Sequence, residues 1–248
     1  MRGLPEIDAR YWLLLLTASV CGTNLGDFAS DTLGLGFLGA FPTFMLLFLV
    51  MVFAAGRVAF VDEAYYCLAI VISRAGATDI ADLATHEMRP SSPWLLGFAV
   101  IGLGLTLAVG ARFGQNTIVV SADPGGGATA RPSGNATYWV AMILASAFGT
   151  VAGDYLASEL GIGLGGAALV STAIAGVAVV GLGARVNASK LSYWGVVLAI
   201  RTVATNLGDL AAGDDGLGLG FALSCTAAFA HLIVFTLTWR PRRLATAS

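Results

Sequence analysis

The sequence predicts an all-α membrane protein, a polytopic bundle of eight transmembrane helices built as four parallel two-helix repeats in two pseudo-symmetric halves. Three observations predict it. The chain of 248 residues is 57% hydrophobic and only 11% charged, with a mean hydropathy of +0.81, whereas a soluble domain carries about 25% charged residues. Apolar stretches follow one another at residues 10–30, 37–57, 64–84, 93–111, 137–157, 163–183, 192–212 and 219–239. Each is about 20 residues long, enough at about 1.5 Å per residue to cross a hydrocarbon core of about 30 Å. Finally, a short polar motif returns four times in fixed register.

The first stretch opens on Tyr11-Trp12 and closes on Thr23-Asn24-Leu25-Gly26-Asp27, and Leu33-Gly34-Leu35-Gly36 turns the chain into the second. The third opens on Tyr66-Cys67, carries Arg74 and closes on Thr78-Asp79-Ile80-Ala81-Asp82. Met88-Arg89-Pro90-Ser91 then replaces the Gly-rich turn before the fourth. The fifth opens on Tyr138-Trp139, closes on Thr150-Val151-Ala152-Gly153-Asp154 and turns at Ile162-Gly163-Leu164-Gly165 into the sixth. The seventh opens on Tyr193-Trp194, carries Arg201, closes on Thr205-Asn206-Leu207-Gly208-Asp209 and turns at Leu217-Gly218-Leu219-Gly220 into the eighth.

Asp27 to Asp154 and Asp82 to Asp209 are both steps of 127 residues, and three of the four units place a Trp 15 residues before the Asp. The chain therefore divides into a four-helix half at 1–112, a Gly/Pro-rich linker at 113–136 containing Asp123-Pro124-Gly125-Gly126-Gly127, and a second half at 137–248. Two helices per unit give every copy the same orientation, so the repeats are related by axes along the membrane normal. The four odd helices are expected to lie inside. The Trp residues at their starts are read as an interfacial aromatic belt.

Arg2, Arg10, Arg57, Arg112, Arg131, Arg185, Lys190, Arg240, Arg242 and Arg243 fall on the side of the termini, against Arg89 alone on the other. The excess puts both termini in the cytoplasm, in a bacterial inner membrane. The first span is read as a retained helix rather than a cleaved signal, because it is long and holds Asp27. Cys21, Cys67 and Cys225 show no metal spacing and are read as lone packing residues. His231, alone in the last span, is read as a core residue.

This pattern resembles a bacterial family of multi-spanning membrane proteins made of four tandem two-helix repeats, each with a characteristic Trp. The resemblance covers nearly the whole chain. It implies the repeat architecture and no particular activity, and Cys67 departs from it where the second unit's Trp is expected.

Carboxylates inside a membrane are expensive, so a fourfold recurrence requires an explanation in structure or function. Thr and Asp four residues apart share one helix face, with Gly or Ala beside them to admit a neighbouring backbone. Thr23, Thr78, Thr150 and Thr205 are thus expected partners of Asp27, Asp82, Asp154 and Asp209, with Asn24, Asp79 and Asn206 adding oxygens. Eight residues before each Asp stand Ser19, Arg74, Ser146 and Arg201 in turn. Five carboxylates against two guanidinium groups leave a negative excess, relieved by protons or a bound cation. Oxygen ligands of this kind favour a hard metal ion held by Asp27, Asp82, Asp154 and Asp209.

The function read from these residues is a secondary transporter or exporter of a small cation, with a divalent metal exchanged for protons as its most concrete form. Arg74 and Arg201 would tune the carboxylates and stand in as internal cations. The alternatives are a transporter of a small organic or anionic solute, and a non-transporting scaffold or partner subunit whose polar groups serve packing. No Ser-His-Asp set, His-Glu-x-x-His, Gly-x-Ser-x-Gly or complete phosphate loop is present, so no enzyme, cofactor or nucleic-acid partner is expected. The expected partners are the lipid bilayer and a small cation or proton.

Overall fold

In the computed structural model, residues 4–55, 63–87, 91–122, 128–183, 186 and 189–238 are described. They form an all-α bundle of eight helices: α1 Ala9–Asp27, α2 Gly36–Ala55, α3 Glu63–Asp82, α4 Ser92–Arg112, α5 Ala136–Asp154, α6 Gly163–Leu182, α7 Lys190–Ala212 and α8 Gly220–Thr238. Polar residues start the odd helices. Asp8 Oδ1 accepts from Tyr11 N at 2.8 Å, and Asn135 Oδ1 accepts from Tyr138 N at 2.8 Å, satisfying backbone donors that have no partner within the helix. Asn135 is thus a helix cap.

The odd helices make a closed central ring in the order α1, α3, α5, α7 and back to α1. Each even helix packs outside, on the odd helix of the next unit: α2 on α3, α4 on α5, α6 on α7, and α8 back on α1. Inner and outer roles show in burial. In α7, 56% of the apolar span is buried within the protein, and in α8 only 11%. The exposed faces of the outer helices carry large apolar side chains such as Leu46, Phe53, Phe98, Leu105, Val177 and Leu237. A continuous apolar exterior of this kind belongs in lipid. The protein is a membrane protein.

Among the described residues, six helices are long and apolar enough to cross a membrane, namely α2 and α4 to α8. The sequence predicts eight such spans. α1 and α3, of 19 and 20 residues, are as long as the others. Their apolar runs are diluted by Arg10, Ser19, Thr23 and Asn24, and by Ser73, Arg74, Thr78 and Asp79, all of them buried. A helix whose polar groups face other helices tolerates that dilution.

A π-helical turn follows three of the repeat motifs, at Phe28–Thr32, Leu83–Glu87 and Tyr155–Glu159. Paired glycines with positive φ then reverse the chain: Gly34 and Gly36, Gly161 and Gly163, Gly218 and Gly220. In the third unit the operative turn is therefore Leu160-Gly161-Ile162-Gly163, two residues earlier than its apparent match at Ile162–Gly165. Both positions require the left-handed region that glycine enters without steric cost.

The linker carries the strands. It forms an antiparallel hairpin of β1 Ile118–Ala122 and β2 Ala128–Pro132, with Ile118 opposite Pro132. Ile7 N donates to Ala130 O at 2.9 Å, Arg131 pairs with Glu6, and Trp194 Nε1 donates to Thr117 Oγ1 at 3.3 Å. The hairpin is thereby tied to the end of the ring where the odd helices begin. The glycines at 125–127 and Arg2, Arg57, Arg89, Arg185, Arg240, Arg242 and Arg243 lie outside the described residues.

Ring closure has a direct check. Cys21 of α1 and Cys225 of α8 lie with their sulfurs 3.6 Å apart, so they are neighbours rather than lone packing residues. A protease site inserted at residue 125 should yield two halves that run together after thiol oxidation and separate on reduction. Halves that separate under both conditions on a denaturing gel would contradict the closure of α8 on α1. His231, read as a core residue, is exposed and approaches Thr17 Oγ1 at 3.4 Å.

Candidate functional site

The ring places repeat-equivalent side chains in layers along its axis. At 1.5 Å per residue, positions 16, 8 and 4 residues before each Asp stand about 24, 12 and 6 Å from it. The Tyr layer is thus separated from the Asp layer by most of the bilayer, with the Ser/Arg and Thr layers between.

In the layer farthest from the aspartates Tyr11, Tyr66, Tyr138 and Tyr193 meet hydroxyl to hydroxyl. The cycle runs Tyr11–Tyr66 at 2.9 Å, Tyr66–Tyr138 at 2.6 Å, Tyr138–Tyr193 at 3.1 Å and Tyr193–Tyr11 at 2.5 Å. All four are buried. A hydroxyl both donates and accepts, so a ring of four satisfies every member without water. Each Trp packs between its own Tyr and the Tyr of the preceding unit: Trp12 against Tyr11 and Tyr193, Trp139 against Tyr138 and Tyr66, Trp194 against Tyr193 and Tyr138. The three Trp residues are buried. They are therefore wedges of an aromatic seal rather than anchors in an interfacial belt. Cys67, also buried, stands where the fourth wedge is absent. The signal that marks this layer in the sequence is that Tyr, unlike Trp, is present in all four units.

The next layer carries the two arginines, both fully buried. Arg74 spans the axis. Its Nε donates to Thr23 Oγ1 at 3.0 Å on α1, its Nη1 to the Ser146 carbonyl on α5, and its Nη2 to Thr205 Oγ1 at 2.5 Å on α7. One side chain from α3 thus binds the other three ring helices. Arg201 donates from Nη1 to Ser19 Oγ at 2.7 Å, while its Nε and Nη2 have no partner. Among the described residues the ion pairs are Arg10–Glu63 and Arg131–Glu6, so neither axial arginine touches a carboxylate.

The ring is tight here because small residues face the arginine-bearing helices. A Cβ at Gly22 would lie 2.6 Å from Val71 O and 2.7 Å from Arg74 Cβ. A Cβ at Gly149 would lie 2.5 Å from Arg201 Cβ and 2.8 Å from Arg201 O. The small residue before the Asp admits a neighbouring backbone in the first unit, where a Cβ at Gly26 would meet Ala75 O at 2.9 Å; in the third unit a Cβ at Gly153 would instead meet the Thr205 side chain, its Cβ at 2.9 Å.

The predicted oxygen ligands divide by direction. Thr23 and Thr205 face the axis and accept from Arg74. Thr78 and Thr150 are buried with no partner for their hydroxyls. Asn24 and Asn206 turn outward instead. Asn24 Nδ2 donates to Ser224 Oγ of α8 at 2.6 Å, and Asn206 Nδ2 donates to Ser171 Oγ of α6 at 3.0 Å. One residue after the Thr is about 100° round the helix, so these amides fasten the outer helices. Asp79 occupies the same position on α3, is fully buried, and has neither carboxylate oxygen bonded.

Asp27, Asp82 and Asp154 end their helices, and Asp209 lies within α7. All four are half-buried. The charges of Asp82, Asp209 and Asp154 act on Asp27, and that of Arg74 acts on Asp82, Asp154 and Asp209. The four carboxylates share one electrostatic environment at the end of the axis opposite the tyrosines. Among the described residues, however, no three His, Cys, Asp or Glu side chains come close enough together to hold a metal ion.

Residues 10–59 and 137–185 match the family model described as Repeat of Unknown Function (DUF347). The matched segments start 127 residues apart, on the first and third units, so each half of the chain contains a segment similar to that repeat. Among curated proteins and solved structures, none matches the chain.

Proposed function

We propose that this chain, with a repeat of unknown function in each half, is a secondary transporter that moves a small cation along the ring axis in exchange for protons. A divalent metal is the most concrete cargo. The observation that carries this reading is Arg74, a tethered cation seated on the Thr23 and Thr205 hydroxyls next to the aspartate layer. In the proposed cycle Arg74 holds the oxygens while cargo is absent. A cation entering among Asp27, Asp82, Asp154 and Asp209 displaces it, and the carboxylates draw together around the ion. Protons take the cation's place on the carboxylates during the return. The tyrosine cycle closes the far end, and opening it releases the cargo to the cytoplasmic side. A bacterial inner membrane with both termini cytoplasmic is the setting this reading assumes.

The packing role is the second reading. It is favoured by the same side chain, because three bonds from Arg74 to three helices also lock the ring. Flux separates the two. In proteoliposomes with an imposed pH gradient, wild type should carry Mn²⁺ or Mg²⁺, and Asp27→Asn and Asp154→Asn should abolish that flux while remaining folded in detergent. Undiminished flux in folded Asn variants would sink the transport role of the aspartates. Absence of flux in wild type, with variants that are only less stable, would leave the packing role.

A further inference from the structure

A cavity of about 280 Å³ opens beside the hairpin, at the end of the ring where the odd helices begin. Its apolar side is a stripe of α4, Leu107, Ala108 and Ala111, together with Leu191 at the start of α7. Gln115, Thr117 and Lys190 supply its polar side, and none of the residues lining it is acidic. Each polar group has a donor left over. Lys190 Nζ gives one of its N–H bonds to Asn116 Oδ1 and is in no ion pair among the described residues. Gln115 Oε1 accepts from Thr137 Oγ1 at 2.8 Å, which leaves its amide nitrogen uncommitted. Thr117 Oγ1 accepts from Trp194 Nε1 at 3.3 Å, which leaves the hydroxyl proton to donate. Arg112 closes α4 one residue after Ala111 and adds a second positive charge beside the cavity.

The volume is below the roughly 300–1,000 Å³ of pockets that enclose a whole small molecule. An occupant is therefore gripped at one end and continues outside. What lies outside α4 is lipid, since Leu105 and Val109 on its exposed face are large and apolar. We propose that this cavity binds the phosphate headgroup of an anionic phospholipid, with Lys190, Gln115 and Thr117 on its oxygens and an acyl chain along Leu107, Ala108 and Ala111. A phosphodiester offers acceptors and a negative charge, the complement of uncommitted donors and a lysine without a carboxylate. Basic recesses between helix ends at the membrane surface suit such headgroups. The small side chains of Ala108 and Ala111 leave room for a chain against the helix. The site is separate from the axial one and does not depend on the transport reading. It does reach the tyrosine cycle. Thr117 holds Trp194, and Trp194 packs on Tyr193 and Tyr138, so a lipid bonded to Thr117 bears on one wedge of the aromatic seal.

The test uses the purified full-length protein in a nonionic detergent at fixed concentration. Short-chain phosphatidylglycerol, short-chain phosphatidylcholine and inorganic phosphate are added in separate titrations, while thermal unfolding and tryptophan fluorescence are followed. Phosphatidylglycerol should raise Tm saturably. Phosphatidylcholine, whose choline cation cancels the headgroup charge, should bind at least about tenfold more weakly, and phosphate alone should have no effect. The fluorescence should change with the same midpoint, and Trp194→Phe should remove most of that change. Lys190→Gln should weaken the apparent affinity at least about tenfold, the equivalent of one charge-assisted hydrogen bond. Ala111→Phe, which fills the apolar side and leaves Lys190 in place, should weaken it as well. Both positions are exposed, so neither variant disturbs the packed bundle. Arg131→Gln removes the same charge from the exposed second strand of the hairpin and should leave binding unchanged. Equal responses to the two lipids, or a response to phosphate alone, would overturn the proposal. So would a phosphatidylglycerol response kept by both Lys190→Gln and Ala111→Phe, lost equally in Arg131→Gln, or accompanied by a fluorescence change that Trp194→Phe leaves intact.

Discussion

Arg74→Met and Arg201→Met should change stability in opposite directions. Arg74 is fully bonded, with Nε, Nη1 and Nη2 each holding a different helix. Removing it breaks three charge-assisted bonds, and we expect a loss of about 3 kcal/mol. Arg201 makes one such bond and leaves two donors buried without partners. Replacing an uncompensated buried charge by an apolar side chain of similar length removes its desolvation cost, and a net gain in stability is expected. The double variant should be non-additive, because without Arg74 the Thr23 and Thr205 hydroxyls become available to Arg201. Reversible unfolding of the four proteins in detergent measures all of this. Equal destabilisation by both substitutions would mean that the two arginines are bonded alike, contrary to the asymmetry described.

Gly149→Ala should be as damaging as the loss of Arg74, although it adds only a methyl group. That carbon would lie 2.5 Å from Arg201 Cβ and 2.6 Å from the Arg201 carbonyl carbon. Backbone cannot rotate away as a side chain can, so α5 and α7 must separate. Overpacking of this kind costs about 1–3 kcal/mol or more, and the upper end is expected because the seam borders the arginine layer. Gly22→Ala should behave likewise through Val71 O and Arg74 Cβ. Gly176→Ala is the control. It lies on the outer helix α6 with nothing within 4 Å of the added carbon, and Ala is the better helix former by about 1 kcal/mol. Melting temperatures that rise equally at Gly149 and Gly176 would show that helix propensity, rather than the close seam, sets the response.

Much of the architecture is legible in the sequence because its causes are local or periodic. Apolar runs of bilayer length report helices directly, and the 127-residue offset reports two halves without any knowledge of packing. The Thr-x-x-small-Asp spacing puts Thr and Asp on one helix face by the 3.6-residue period alone. The close approach of Ala75 O to Gly26 agrees with a small residue beside them admitting a neighbouring backbone. Sequence reading is weakest where a side chain's meaning depends on what lies across from it. Trp12, Trp139 and Trp194 have the position of interfacial anchors along their helices, and only the fold turns them inward against a neighbouring unit's Tyr. Asn24 and Asn206 are adjacent in sequence to axial threonines and yet face α8 and α6.

By itself the sequence determined that this is a membrane-embedded helical bundle of tandem repeats with carboxylates and arginines set into its inner helices. Those properties follow from hydropathy and spacing, which each segment carries alone. The tertiary structure decided that the odd helices form one closed ring, that each outer helix leans on the following unit, and that four tyrosines share one hydrogen-bonded cycle. It also decided that Arg74 takes its full set of partners while Arg201 does not. The physical reason is that two like charges on one narrow axis cannot both occupy its centre, so nearly equivalent halves settle into unequal bonds. A repeated sequence cannot express that difference, because the competition exists only once the four helices meet.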